Sequence, residues 1–250
     1  MLIDLVFEKI LLSALISLFI VATIFLWLLE WQRSKGKKLD KEKLISLSTV
    51  PPNTILYFLI APIWAVFYQW LSQYSIYTID NFYIGLLLAI TLCDFSYYCE
   101  HRAGHQIKLL WKLYHGTHHT GQEYNIPLAF RVNCLNQLVA PLFYAPWILL
   151  GIEPLILVAT QLFVFHYQGW LHTELIGESK LIDFIFNSPA NHRVHHSQKH
   201  SANFGGVFMH WDRLFGTYEP PGSSLQYGVS NRESDESFVG IYTDLWKNNK

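Results

Sequence analysis

Residues 82–105 read FYIGLLLAITLCDFSYYCEHRAGH, an apolar run that passes directly into a pair of histidines. The run has no charge before Asp94, and about twenty apolar residues are enough for a helix to cross a bilayer. His101 and His105 are four positions apart, so a helix places both imidazoles on one face. Asp94 and Tyr98 lie on the same face, at helical steps of four and three. The stretch predicts a membrane-spanning helix that ends in two histidines, with a carboxylate in line behind them.

The composition of the whole chain fits a membrane protein. Of its 250 residues, 51% are hydrophobic, 16% are aromatic and 15% are charged, whereas soluble domains carry about 25% charged residues. Abundant aromatic side chains suit membrane–water interfaces. Because the formal net charge is −1, no global field attracts nucleic acid, and we expect no nucleic-acid partner.

Further apolar runs flank the first one. Residues 10–29 and 53–72 precede it, and residues 132–152 and 155–173 follow it. We predict an all-α integral membrane protein with about four transmembrane helices in two hairpins. A helical cap on the cytoplasmic side is expected to hold a histidine-rich site for two metal ions.

The topology follows from a basic segment. Residues 33–43 contain six basic and two acidic side chains, and such segments stay in the cytoplasm. We therefore expect a multi-pass protein with residues 32–50 and the active site on the cytoplasmic side. Three regions are predicted: an N-terminal transmembrane hairpin with a basic cytoplasmic loop at 1–84, a catalytic region at 85–218 and a polar C-terminal tail at 219–250.

Most of the twelve histidines are clustered. HGTHH at 115–119 and HRVHH at 192–196 share the pattern HxxHH, and offsets of three and four put the imidazoles of each pattern on one helix face. Asn-Ser-Pro at 187–189 predicts that a helix starts just before the last cluster. Because imidazole nitrogen suits iron, copper, nickel and zinc, the three clusters together predict metal binding.

The number of histidines indicates two metal ions. Eight clustered imidazoles exceed the four ligands of one zinc site, and the absence of an HExxH motif removes support for a zincin-type protease. Iron is preferred, because an open pair of nitrogen-bound ions can activate O2 beside a lipid. His172, where the run 155–173 ends, is expected to complete the site. The predicted metal ligands are His101, His105, His115, His118, His119, His172, His192, His195 and His196.

The remaining polar candidates are assigned other roles. Asp94 and Glu174 are predicted to orient ligands through hydrogen bonds, and no catalytic residue is predicted beyond the ligands. His166 lies six residues before His172, which turns it about 120° away on a helix. His200 and His210 stand alone in loop sequence. These three histidines are predicted not to bind metal.

These motifs resemble the integral-membrane fatty acid hydroxylase/sterol desaturase superfamily over roughly residues 85–218. That family carries an HxxxH-type box followed by two HxxHH boxes, in the order found here. Within it, the chain is most similar to alkylglycerol monooxygenase-like members. The flanking stretches that carry the resemblance are DFSYY at 94–98, YN at 124–125, AFR at 129–131, WLHT at 170–173, NFGG at 203–206 and WDRLFGT at 211–217.

The resemblance implies a membrane-bound oxidoreductase with two non-haem iron ions. It would use O2 to hydroxylate, or alternatively desaturate, a lipid such as a fatty acid, sterol or ether lipid. Electrons would come from an external donor such as a b-type cytochrome, a ferredoxin or a flavin reductase. Two other classes stay open. A histidine-rich metal transporter would carry ionisable residues near the middle of several spans, and a haem-binding electron carrier would carry isolated histidines on facing spans.

Overall fold

The computed structural model shows a helical protein. Across the part of the chain that is described, no strand forms, and two isolated β-bridges join Phe186 to Phe208 and Ser197 to Tyr227. The predicted all-α class is confirmed. The described residues are 2–33, 40–198, 201–222, 225–229 and 237–247.

Long helices occupy the first half of the chain, and shorter ones follow. The first four are α1 (Leu2–Arg33), α2 (Lys41–Ser48), α3 (Val50–Ser72) and α4 (Phe82–Gln106). After them come α5 (Lys108–Leu110), a π-helical turn (Trp111–His115), α6 (Gly116–His119), α7 (Ile126–Ala129), α8 (Asn136–Tyr144) and α9 (Pro146–Leu149). The last are α10 (Pro154–Tyr167), a 3-10 turn (Gly169–Leu171), α11 (Lys180–Ile185), α12 (Pro189–His195), α13 (His210–Leu214) and α14 (Gly240–Lys247).

Three helical stretches within the described ranges are long and apolar enough to cross a membrane. They are Ile16–Arg33 in α1, Lys41–Ser72 across α2 and α3, and Phe82–Gln106, which is α4. Phe58 and Val66 on α3 are each 70% exposed. Apolar surface of this extent faces lipid rather than water, which supports the expected membrane protein. Residues 34–39 of the predicted cytoplasmic loop lie outside the described residues.

The second predicted hairpin has shorter arms than expected. Its first arm divides into α8 and α9, because Pro141 lies inside α8 and Pro146 begins α9, and each proline removes a helical hydrogen bond. Its second arm, α10, has 14 residues and is about 21 Å long, whereas the apolar core of a bilayer is about 30 Å thick. The spans predicted at 132–152 and 155–173 are therefore not among the three long ones.

Helix α10 packs against both α1 and α4. Cys93 of α4 and Leu157 and Val164 of α10 are completely buried in the core between them. Helices α4 and α10 run in the same direction. Gly85 near the start of α4 lies against Ile156 near the start of α10, and further along both helices Tyr97 and Val164 lie against the same residue, Gly206. Their C-terminal ends therefore reach the same side of the molecule, where the histidines lie.

Candidate metal centre

The first histidine pair lies on the last turns of α4. Asn81 caps the start of this helix by accepting a hydrogen bond from the Ile84 amide at 3.1 Å. From there the helix continues unbroken to His101 and His105. Gly104 lets the next cluster approach closely, because a Cβ at this position would lie 3.0 Å from the Cβ of His115.

The second cluster spans the junction between the π-helical turn and α6, which begins after His115. Such π-helical turns are often found at functional sites. The third cluster lies on α12, where the Ser188 hydroxyl accepts from the Asn191 amide at 3.2 Å and Pro189 occupies the first turn. The helix start predicted at 187–189 is therefore confirmed.

The nine predicted ligands converge in two groups. Within each group, one nitrogen from every imidazole lies within 4.8 Å of the others. The five-histidine group contains His101, His105, His115, His119 and His195. The four-histidine group contains His118, His172, His192 and His196.

Each HxxHH cluster contributes to both groups. In the second cluster, His115 and His119 join the five-histidine group and His118 joins the other; in the third, His192 and His196 join the four-histidine group and His195 joins the other. Neighbouring residues on a helix point about 100° apart, so adjacent histidines face different centres. Each cluster thus gives two histidines to one group and one histidine to the other, with the majority reversed between the two clusters.

Within each group the Nε2 atoms face one another at short range. The separations are 2.9 Å for His101–His195 and His105–His115, 3.1 Å for His115–His119, His119–His195, His118–His172 and His172–His192, and 3.2 Å for His172–His196. Two imidazole nitrogens bound to one metal at about 2.1 Å, at right angles, would lie about 3.0 Å apart. The observed spacing therefore fits ligands around one ion.

Hydrogen bonds at Nδ1 indicate that a cation belongs between the Nε2 atoms. His101 Nδ1 contacts the Phe204 carbonyl at 2.9 Å, and His195 Nδ1 contacts the Ala202 carbonyl at 2.8 Å. Because a carbonyl only accepts, each Nδ1 carries the proton, and each neutral ring presents a lone pair at Nε2. Two lone pairs that face each other at 2.9 Å repel unless a cation lies between them. The same backbone bonds hold the rings in place, as is usual for metal-binding histidines.

Six of the nine imidazoles are buried and those of His105, His115 and His118 are half-buried, and removal from water keeps them neutral. It lowers the pKa of His118 to about 4 and that of His195 to about 3. Burial, with neighbouring imidazoles as a further cause, holds the pKa of His115, His119 and His196 well below the ordinary value. At neutral pH the lone pairs are therefore available to a metal ion.

The two carboxylates predicted to orient ligands have other described hydrogen-bond partners. Asp94 accepts from the amides of Val207 and Phe208 at 2.5 and 3.3 Å and from the Trp211 indole at 3.0 Å. Glu174 accepts from the Tyr227 hydroxyl at 3.5 Å. Among the described residues, no hydrogen bond joins either carboxylate to a histidine.

Asp94 instead stabilises the loop that supplies those carbonyls. Asp212, which was not among the predicted site residues, supports the same loop by accepting from the Phe204 and Gly205 amides at 2.8 and 2.7 Å. Burial raises the pKa of Asp212 to about 6. Gly206 permits the close packing, since a Cβ there would lie 2.7 Å from an Asp94 oxygen. The flanking stretches 203–206 and 211–217 were the sequence signal for this support.

The other histidines lie apart from both groups wherever they are described. His166 Nδ1 contacts the Leu162 carbonyl at 2.7 Å. His210 is exposed and lies against the Trp211 ring, with 4.1 Å between the ring centroids. His200 lies outside the described residues.

A cavity of about 400 Å³ lies between α4 and the α8–α9 pair. It is bounded mostly by apolar side chains, and its α4 lining comes from a different side of the helix than His101 and His105. The lining residues are Phe95, Ser96, Cys99, Leu142, Phe143, Pro146 and Trp147.

The region that contains the grouped histidines matches a known protein family. The family model for fatty acid hydroxylases matches residues 86–217, a range that contains all nine grouped histidines. No solved structure matches the chain.

Several curated relatives act on lipids, by their names. Alkylglycerol monooxygenase of Homo sapiens is 30% identical over 224 residues, which cover 86% of this chain and 48% of the relative. The Danio rerio alkylglycerol monooxygenase is 35% identical over 173 residues, covering 64% and 38%. Ornithine lipid hydroxylase of Rhizobium tropici is 28% identical over 160 residues, covering 59% and 46%. The chain thus spans less than half the length of each of these relatives.

Proposed function

The chain belongs to the fatty acid hydroxylase family, and we propose that it is a membrane-bound, O2-dependent lipid monooxygenase with two non-haem iron ions. The observation that carries the proposal is the pair of convergent imidazole groups, five and four in number, at the end of the membrane-spanning helix α4. Residues 85–218 would form the catalytic region, between the N-terminal hairpin and the polar tail.

Each imidazole group would hold one iron ion. The five-histidine group would hold one ion through His101, His105, His115, His119 and His195, and the four-histidine group the other through His118, His172, His192 and His196. Iron held in this way supplies the activation of O2. The protein orients the imidazoles through backbone carbonyls, keeps them neutral by burial, and excludes water from the buried His101, His172, His192 and His195. A dry site prevents side reactions of the activated oxygen.

The substrate would reach the site from the bilayer. The cavity between α4 and the α8–α9 pair is apolar enough for an acyl or alkyl chain, and it starts on the span that ends in His101 and His105. A chain lying there would keep its polar head near the interface while a carbon close to the head approaches the metal centre. Because two of the relatives are alkylglycerol monooxygenases, an ether lipid is the first substrate to test.

The orientation and the electron source are further parts of the proposal. The basic composition of residues 33–43 favours the cytoplasm for this loop, and an even number of crossings after it would return the histidines to the same side. Hydroxylation by O2 consumes two electrons beyond those of the C–H bond. We expect an external donor, such as a b-type cytochrome, a ferredoxin or a flavin reductase, to supply them.

Lipid analysis of cells tests the proposal. Cells that express the wild-type chain should accumulate a hydroxylated lipid, or its breakdown product, only when O2 is present. His195→Ala should abolish this product because it removes a member of the five-histidine group, whereas His210→Ala, which changes a histidine outside both groups, should retain it. An identical lipid profile for wild type and His195→Ala would contradict the proposed function.

A further inference from the structure

His172 is the hub of the four-histidine group. Its Nε2 lies 3.1 Å from those of His118 and His192 and 3.2 Å from that of His196. The other three come from the two HxxHH clusters, where helical spacing sets their positions. His172 follows the 3-10 turn Gly169–Leu171 and has no regular helix on its C-terminal side.

Neighbouring segments must therefore hold His172 in place. Its Nδ1 contacts the Gln168 carbonyl at 3.0 Å. The ring of Tyr124 stacks on the imidazole with 5.7 Å between centroids, and the Tyr124 hydroxyl donates to the Leu171 carbonyl at 2.9 Å. On the other side, Arg193 donates to the Thr173 carbonyl at 2.9 Å. The segment around residues 124–126 thus contacts the ring through Tyr124, while hydrogen bonds to the carbonyls of Leu171 and Thr173 hold the backbone on either side of His172.

A carboxylate from α1 ties these two segments together. Glu30 accepts from the Thr173 hydroxyl through one oxygen at 2.6 Å and from the Ile126 amide through the other at 3.0 Å. Thr173 directly follows His172 and is completely buried. Ile126 lies two residues after Tyr124, which stacks on the imidazole.

Helix α1 also approaches the turn before His172. A Cβ at Gly169 would lie 2.6 Å from the Thr23 hydroxyl oxygen, so only glycine allows this contact without a shift. The helix α1 (Leu2–Arg33) thus contacts the His172 segment on both sides, although it lies outside the family match at 86–217.

We propose that Glu30 is a positioning residue for His172, so that a helix outside the matched region completes the second metal position. This inference rests on the proposed metal centre. Residues that orient a metal ligand typically affect metal affinity by about 10–100-fold when they are removed. Loss of Glu30 should therefore weaken one metal position and leave the five-histidine group unchanged.

Titration of the metal-free purified protein with Co²⁺ tests this, because the visible absorption of histidine-bound cobalt reports each position. Wild type should bind two equivalents. Glu30→Ala should bind the first with unchanged affinity and the second about 10–100-fold more weakly, with altered bands for the second only. The affinity of Glu30→Gln for the second equivalent should lie between those of wild type and Glu30→Ala, since an amide oxygen can replace one of the two acceptors.

Glu42→Ala is the matched control. Like Glu30, Glu42 accepts two hydrogen bonds, in this case both from amides, those of Gln122 at 2.6 Å and Glu123 at 3.0 Å. It does not contact Thr173 in the described bonds, and its variant should titrate like wild type. Thr173→Val removes the hydroxyl that donates to Glu30 and that accepts from the Leu175 amide at 3.2 Å. It should reproduce the weakened second equivalent, including when Glu30→Ala does not fold.

Different outcomes contradict the positioning role of Glu30 and the metal centre itself. Two equivalents of wild-type affinity in both Glu30→Ala and Thr173→Val would overturn the positioning role. Equal loss of both equivalents in Glu30→Ala and Glu42→Ala would also overturn it, because the effect would then be general destabilisation. A wild-type protein that fails to bind two equivalents would instead contradict the metal centre itself.

Discussion

Replacement of two adjacent histidines should affect different metal positions. His195 and His196 are neighbours on α12 and in the turn that follows it, yet His195 belongs to the five-histidine group and His196 to the four-histidine group. His195→Ala leaves four imidazoles in the first group and four in the second. His196→Ala leaves five in the first and three in the second. The same change one residue apart should therefore weaken opposite positions.

The magnitude follows from what each Nε2 contacts. His195 Nε2 faces His101 at 2.9 Å and His119 at 3.1 Å, and His196 Nε2 faces His172 at 3.2 Å. Loss of a direct ligand should cost at least the tenfold that loss of an orienting partner costs, which is about 1.4 kcal/mol or more of binding free energy. The loss should be larger for His196→Ala, because three remaining imidazoles hold an ion less well than four.

Mössbauer spectra of the protein loaded with ⁵⁷Fe, together with metal analysis, check this prediction. Each variant should lose the signal of one iron site, and the lost signals should differ between His195→Ala and His196→Ala. If both variants lose the same site, or both lose the two irons equally, the reciprocal division of the HxxHH clusters is wrong. His210→Ala should retain both signals.

Three further predictions concern the support of the site, its pH dependence and its orientation. Gly206→Ala should lower the thermal unfolding temperature and the metal content, because its Cβ would lie 2.7 Å from an oxygen of Asp94. Gly177→Ala is the control, since the space around its new Cβ is open. Equal unfolding temperatures and metal contents for the two variants would refute the packing argument. The metal-free protein should lose stability as pH falls below about 6.5. In the folded state burial lowers the pKa of the imidazoles, that of His195 to about 3, so the unfolded chain takes up more protons than the folded one. Equal unfolding free energies at pH 7.5 and pH 5 would contradict this. Topology reporters fused after Lys43 and after Lys250 should both indicate the cytoplasm, and opposite signals would place the basic loop and the C-terminus on different sides.

The spacing of the histidines was enough to predict which of them converge but not their division into two groups. Steps of three and four place the imidazoles of one HxxHH cluster on a common side. How each cluster is shared between two groups depends on where α6 and α12 lie relative to each other, and this is a tertiary relationship. His172 could be predicted because it follows an apolar run. Its hub position could not, because it depends on contacts with two separate segments, His118 of α6 and the pair His192 and His196 at α12.

Long-range contacts explain where the expectations and the structure differ. Asp94 shares a helix face with His101, so sequence favoured a bond between them. In the structure, the oxygens of Asp94 instead accept hydrogen bonds from the amides of Val207 and Phe208, more than a hundred residues away. By contrast, the division of the predicted span at 132–152 has a local cause, since Pro141 and Pro146 were visible in the sequence.

Incorporation of oxygen from labelled O2 tests the central claim most directly. The iron-loaded protein is supplied with ¹⁸O2, a reductase system and an ether-lipid substrate, and the products are analysed by mass spectrometry. Monooxygenation forms a C–OH bond from a C–H bond with one oxygen atom of O2, while two electrons and two protons convert the other atom to water. The account predicts one ¹⁸O atom in the lipid product, with no product when iron or the reductase is omitted. A fully iron-loaded protein that forms no O2-dependent product from ether lipid, fatty acid or sterol, or that takes the new oxygen from water, would contradict it.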